Sequence, residues 1–299
     1  MRASPAVVNG VVYVGSIGNQ SLYNPNATSN FYAINAATGT KIWNYSTSYE
    51  PRSSPAVANG LVYFGTFDRY LYALNASTGA EVWTFTAGEF VESSPAVVND
   101  VVYVGSGDHN VYALNATTGD EIWHYDTGSW VESSPAVANG VVYIGSRDTR
   151  VYAFNATTGA KIWDFATGGA VTSSPAVANG IVYVGSQDKN VYALNAATGA
   201  LFWSYPTESY VFSSPAVANG AVYFGSWDHN VYALGGLPPA PVANFTSDKT
   251  TGTAPLTVTF TDSSTGTPTS WNWSFGDGSL VNSTHPNPVH TYTPPTRFP

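Results

Sequence analysis

The chain has 299 residues, 43% of them hydrophobic, enough to bury one large core or two smaller ones. Charged residues make up only 10%, and the formal net charge of -9 is carried with ten scattered Lys and Arg, so the positive footprint that nucleic acid requires is missing. Cysteine is absent, which excludes disulfides, thiolate metal sites and cysteine nucleophiles; no apolar run reaches the length of a membrane-spanning helix.

From its first residues the chain repeats itself. ASPAVVNG at 3, SSPAVVND at 93 and SSPAVANG at 53, 133, 173 and 213 place Pro5, Pro55, Pro95, Pro135, Pro175 and Pro215 at a spacing of 40, after a first step of 50. A fixed period of this size signals a repeat architecture. Trp43, Trp83, Trp123, Trp163 and Trp203 keep the same beat, which argues that they pack rather than react. The N-terminus MRASPAVVNG carries no signal-peptide pattern, so a secreted form implies a longer precursor.

One unit, 133 to 168, reads as four short strands: SSPAVA, a turn at NG, VVYIGS, a turn at RDT, RVYAFN, a turn at ATTG, then AKIWDF. Asn-Gly tolerates positive φ at both central positions and is a strong hairpin signal. The middle strands are apolar almost throughout, so both of their faces should be covered. Small antiparallel meanders stacked around an axis satisfy that demand, which is the β-propeller. Proline is confined to sheet edges; the SSPAV strand is therefore placed innermost, lining the channel, with the Trp strand outermost. The sixth copy stops at YALGG without its last turn and Trp strand. The expectation is an all-β propeller of six blades, the last three-stranded, with an open part of a larger ring as the alternative.

The run A-L-N-A-T-T-G-D-E-I-W, Ala113 to Trp123, resembles the tryptophan-docking repeat of the quinoprotein-like (PQQ-repeat) β-propellers, and the resemblance covers about 1–236. It implies that each Trp packs between neighbouring blades. The family includes dehydrogenases that use pyrroloquinoline quinone with calcium, a catalytic aspartate and often a vicinal cysteine pair, in eight-bladed rings; none of these can be matched here. It also includes a non-catalytic outer-membrane assembly lipoprotein.

LPPAPV, 237–242, reads as a stiff linker. Beyond it, Pro255, the WNWSFGDGS run with Trp271, Trp273, Phe275 and Asp277, and His290 to Tyr292 resemble a PKD domain, an immunoglobulin-like β-sandwich common in surface proteins. Over 243–299 a partial sandwich is expected, since the prolines of TPPTRFP cannot supply a central strand.

Six internal copies allow their varying positions to be compared. The NG and NATTG turns, on one face, barely change. On the other face the interblade segments read SYEPR, GEFVE, GSWVE, GGAVT and ESYVF, and the second turns read TFDRY, SGDHN, SRDTR, SQDKN and SWDHN. Phe90, Trp130 and Tyr210 hold equivalent positions, and Arg52, Glu92, Glu132 and Phe212 sit two residues later in the pattern, toward the channel mouth; Trp227 stands in the last second turn. Aromatics flanking a few charges suit a ligand platform for protein or glycan. Unconstrained loops whose aromatics merely plug the top would vary in the same way. The recurring Asp68, Asp108, Asp148, Asp188 and Asp228 are read as turn aspartates, and His109 and His229 as too far apart in a closed ring to share a metal. No catalytic, cofactor or metal residue is assigned. Asn19 and Asn26, in the first-blade insertion, are the candidate glycosylation sites.

The functional expectation is a non-catalytic extracellular or cell-surface binding protein without cofactor. The alternatives are a PQQ-dependent quinoprotein oxidoreductase and a purely structural surface-layer component.

Overall fold

The computed structural model describes residues 3–16, 29–235, 242–265, 271–277, 280–283 and 286–293. Six antiparallel sheets follow one another along the chain, each with its strands in sequential order. The fourth is representative, with strands Ala136–Ala138, Val141–Gly145, Arg150–Asn155 and Lys161–Ala166. Among the described residues the sixth has three, Ala216–Ala218, Ala221–Gly225 and Val231–Gly235.

Local chemistry sets each turn. Asn139 and Gly140 adopt φ of 52° and 75°, the pair of positive values that a tight hairpin matching strand twist requires. At the third turn the Asn155 side chain accepts the amides of Thr157 and Thr158, each at 3.0 Å, and Gly159 takes the left-handed position at φ 70°. A bulge between Ala153 and Phe154 then restores the register that puts Ala153 opposite Trp163.

The proline strand is the inner edge, and its two serines explain its composition. The first is buried: Ser133 Oγ accepts the Gly145 amide at 3.0 Å and donates to the Ser173 carbonyl at 3.0 Å. The second forms a ladder from sheet to sheet, in which Ser4, Ser54, Ser94 and Ser134 each donate a backbone amide to the hydroxyl of the next, at 2.9 Å, and Ser174 donates to Ser214 at 3.1 Å. Proline next in line offers no amide, so the inner edge leaves none unmatched at that position.

Sheets pack face to face through one hydrogen-bonded joint that the described residues make four times, at Ala76, Ala116, Ala156 and Ala196. Trp123 Nε1 and the Tyr103 hydroxyl both donate to the Ala156 carbonyl of the next sheet, at 3.0 Å each. The Trp123 indole lies on Gly159, where an added Cβ would come within 2.7 Å of the ring. Around this polar point Val111, Ala113, Val142, Ile144 and Phe154 are buried. Equivalent clusters join the first to second, second to third, fourth to fifth and fifth to sixth sheets. Among the described residues no such cluster joins the sixth sheet to the first. Val231 is 83% exposed and Tyr223 40%, whereas their counterparts Val111 and Tyr103 are buried. Among the described residues the six blades form an open arc.

In the C-terminal part Phe245–Ser247, Leu256–Asp262 and Val289–Tyr292 form one sheet and Trp271–Ser274 with Leu280–Ser283 another. Val258, Phe260 and Phe275 are its buried centre. The signature residues meet there: the His290 ring stacks on Phe275 at 4.2 Å and its Nε2 lies 2.6 Å from Asp277.

Candidate functional site

The interblade segments and second turns are tied together by one repeated backbone bond. The amide of Phe67 donates to the Glu50 carbonyl at 3.1 Å, and those of Gly107, Arg147, Gln187 and Trp227 to the carbonyls of Phe90, Trp130, Ala170 and Tyr210 at 2.9 Å. The following residue of each segment turns inward, as Val91, Val131, Val171 and Val211 do, and is buried. The one after it points to the channel mouth. Alternation along an extended chain thus gives each blade one outward side chain, one anchor and one mouth residue.

Four of the second turns are held by their aspartates, Asp108, Asp148, Asp188 and Asp228, whereas Asp68 Oδ1 is buried without a hydrogen-bond partner. Asp108 Oδ1 accepts the Asn110 amide at 3.0 Å. Its Oδ2 also accepts the Tyr112 hydroxyl at 2.7 Å and the Gly88 amide of the preceding loop at 2.6 Å, so one carboxylate pins both loops. Among the described residues no group of three His, Cys, Asp or Glu is placed to hold a metal ion.

On this frame the side chains form two clusters. In the first, the Arg52 guanidinium lies 3.9 Å over the Phe67 ring, Phe67 stacks on Phe90 at 5.3 Å, Phe90 meets Trp130 edge-on at 5.4 Å, and Arg147 lies 5.0 Å over Trp130. It is a row of three aromatic rings closed at each end by a cation. Gly107 makes the row possible, because a Cβ there would fall 2.6 Å from the Phe90 ring. Each cation is also paired: Arg52 with Glu50 at 2.9 Å and Glu92 at 2.5 Å, Arg147 with Glu132 at 3.1 Å. Burial opposes the Arg52 charge, but the bonds from Glu92 and Glu50 outweigh it and raise its pKa. In the second cluster Phe212 lies 4.7 Å from Trp227 and 5.7 Å from Tyr210. Trp227 is 66% exposed.

Between the clusters the channel mouth holds a cavity of about 420 Å³, lined by Glu92, Glu132, Arg147, Thr172, Phe212 and Trp227. Its floor includes Ser134 and Ser174 of the serine ladder. A cavity of similar size, about 430 Å³, in the C-terminal sandwich is lined by Phe245, Phe260, Asp262, Trp271, Trp273 and Tyr292.

Arg52, Phe90, Glu92, Trp130 and Glu132 thus fall in or against the first cluster, and Tyr210, Phe212 and Trp227 form the second. Phe90, Trp130 and Tyr210 do not make one platform: the first two share the ring row, and Tyr210 stands apart from it. The sequence reading missed Glu50, Phe67, Gly107 and Arg147. The column that singled out Trp227, the residue before each turn aspartate, contains Phe67, Gly107 and Arg147 as well and would have revealed them. Asn19 and Asn26 lie outside the described residues.

The sequence matches the family described as outer membrane protein assembly factor BamB over residues 1–95, 68–169 and 147–254, and the PKD domain over 238–299. None of the curated proteins matches the chain. Among solved structures it is similar to the computationally designed Ika8 protein, with a TM-score of 0.68 and 18% identity over 78% of this chain and 70% of that one. BamB from Moraxella catarrhalis gives 0.66 and 18% identity, over 94% of this chain and 85% of its own. The quinohemoprotein alcohol dehydrogenase ADHIIG from Pseudomonas putida HK5 gives 0.62 and 19%, over 75% of this chain and 50% of the dehydrogenase. At these identities the likeness is one of fold. With four tryptophan joints, six sequential sheets and three family matches that together run from residue 1 to 254, the chain belongs to the BamB-type family of PQQ-like β-propellers and carries a PKD domain at its C-terminus.

Proposed function

We propose that the propeller is a non-catalytic binding module of the cell surface or extracellular space, which presents its variable face to a protein or glycan while the PKD domain acts as a spacer. One observation carries the reading: identical backbone bonds hold five outward positions whose side chains differ in every blade, so shape is constant and chemistry is free. Exposed Trp130, Tyr210 and Trp227 offer flat apolar area at low entropic cost, and the Glu and Arg pairs beside them offer directional hydrogen bonds. The family's assembly-factor member supports a role in protein contact. Localisation rests on the kinds of domain present and on the sparsely charged surface.

The test is a screen of glycans and candidate surface proteins against the intact chain and a Phe90→Ala, Trp130→Ala, Tyr210→Ala variant. Loss of a captured ligand with unchanged thermal stability supports the reading; equal capture by both proteins overturns it. The fold likeness to a quinohemoprotein dehydrogenase favours a second reading, an oxidoreductase. Pyrroloquinoline quinone with calcium should then raise the melting temperature and support dye reduction, and failure on both counts removes it.

A further inference from the structure

We propose that the channel-mouth cavity is a monosaccharide site, which takes one neutral pyranose ring with its apolar face on Trp227 and its hydroxyls toward Glu92, Glu132 and the serine ladder. The proposal rests on the variable-face reading above and names the ligand class and the place within it.

The cavity owes its existence to one blade junction. Among the five interblade segments GGAVT is the smallest: Ala170 stands where the others carry Glu50, Phe90, Trp130 and Tyr210, and Thr172 where they carry Arg52, Glu92, Glu132 and Phe212. With no bulky side chain at either position, the ring row that ends at Arg147 and the Phe212–Trp227 pair stand apart, and a space of about 420 Å³ lies between them. That volume is at the small-molecule end of binding cavities, so it suits one compact group rather than a protein surface.

The charges around it cancel in pairs. Glu92 is held by Arg52 at 2.5 Å and Glu132 by Arg147 at 3.1 Å, so a charged ligand would compete with a partner already in place. Each pair uses one carboxylate oxygen. Among the described residues, Glu92 Oε2 and Glu132 Oε1 accept no hydrogen bond. At the floor the Ser134 and Ser174 hydroxyls accept the amides of Ser94 and Ser134 at 2.9 Å, and their own protons reach no acceptor among the described residues. Free acceptors on one side and free donors on the other match a ligand rich in hydroxyls, because each hydroxyl both donates and accepts.

The aromatic wall supplies the other half of the match. Trp227 is 66% exposed, its amide is fixed to the Tyr210 carbonyl at 2.9 Å, and Phe212 braces its ring at 4.7 Å. A pyranose presents a face of C–H groups between its equatorial hydroxyls. A flat ring at the side of a polar cavity covers that face and leaves the hydroxyls to the polar groups, at little cost in side-chain entropy.

The test is ligand-observed NMR of the intact chain with the methyl glycosides of glucose, galactose, mannose and N-acetylglucosamine, with glucuronate and glucosamine as charged controls. Saturable binding of at least one neutral glycoside is expected, and at least ten-fold weaker binding of both charged sugars. Trp227→Ala should weaken binding at least ten-fold at an unchanged melting temperature, and Trp227→Phe should recover part of it. Thr172→Phe, a residue that the fifth segment already carries as Phe212, fills the space between the clusters and should abolish binding. Thr157→Ala, in a quiet-face turn where other blades have Ala37 and Ala197, should leave it unchanged. The proposal is overturned if no neutral glycoside binds, if the charged sugars bind equally well, or if Trp227→Ala binds as the intact chain does. A protein ligand lost in the Phe90, Trp130 and Tyr210 variant, with no sugar bound, would sink this site and leave the variable-face reading standing; that reading fails separately, by equal capture in the same variant.

Discussion

The two faces of the propeller are built from the same strands, yet one is nearly invariant from blade to blade and the other is not. On the quiet face the third turns are used twice. Gly159 and Ala156 shape their own turn, and they also receive the indole and hydroxyl of the preceding blade. A change there damages two sheets at once. On the variable face the frame is made by backbone bonds and by Asp carboxylates, so the outward side chain contributes little to holding it. Freedom to vary follows from which atoms carry the joint.

The contrast can be broken most directly at tryptophan. Trp123→Ala removes a buried ring and its hydrogen bond, and should cost about 3–5 kcal/mol in urea unfolding. Trp130→Ala, on the variable face, should cost no more than about 0.5 kcal/mol. Equal losses would show that the outward aromatics are structural plugs.

High pH tests the tyrosine bonds of the quiet side. Burial pushes Tyr63 up to about 12, with the nearby Asp100 adding to it, and burial pushes Tyr143 up to about 12. Their hydroxyls donate to Ala116 and Ala196, which a phenolate cannot do. A folded pKa above the unfolded value near 10 means that this stability is whole below pH 10 and is lost as pH rises toward 12. Circular dichroism should therefore be lost in that window, together with the last part of the rise in phenolate absorbance; complete ionisation of the tyrosines with the circular dichroism intact would contradict the joint.

Smaller effects sharpen the picture of the other face. Gly107→Leu should displace Phe90 and cost about 1–3 kcal/mol, with a shift in Trp130 fluorescence as the ring row breaks. Glu92→Gln leaves the part-exposed Arg52 with Glu50 alone and should cost under about 1 kcal/mol, lessened further by salt.

The repeat, the inner proline edge and the tryptophan joint could all be read from the sequence, because a 40-residue period compares each position with five others. The open arc could not. VVYVGS in the first blade and AVYFGS in the sixth have the same apolar pattern as the buried VVYIGS of the fourth, and a pattern records a strand's fitness for burial, not whether anything covers it. The site was half legible for a related reason. Reading the interblade column found Phe90 and Trp130, but Phe67, which continues their row, and Arg147, which closes it, come from the second turns, a different stretch of each repeat.

The serine ladder bears on curvature. Each rung is a single bond of 2.9 to 3.1 Å at the inner edge, while the indole joint acts from the outermost strand of the sheet. Two fastenings at different radii fix the wedge angle between neighbouring blades, as one alone would not. The inner one has the short lever arm, so a few tenths of an ångström there are magnified at the rim. Replacing the second serine of one blade by alanine would loosen that angle at one place only, and the arc would flex there like a fan with one rib unpinned.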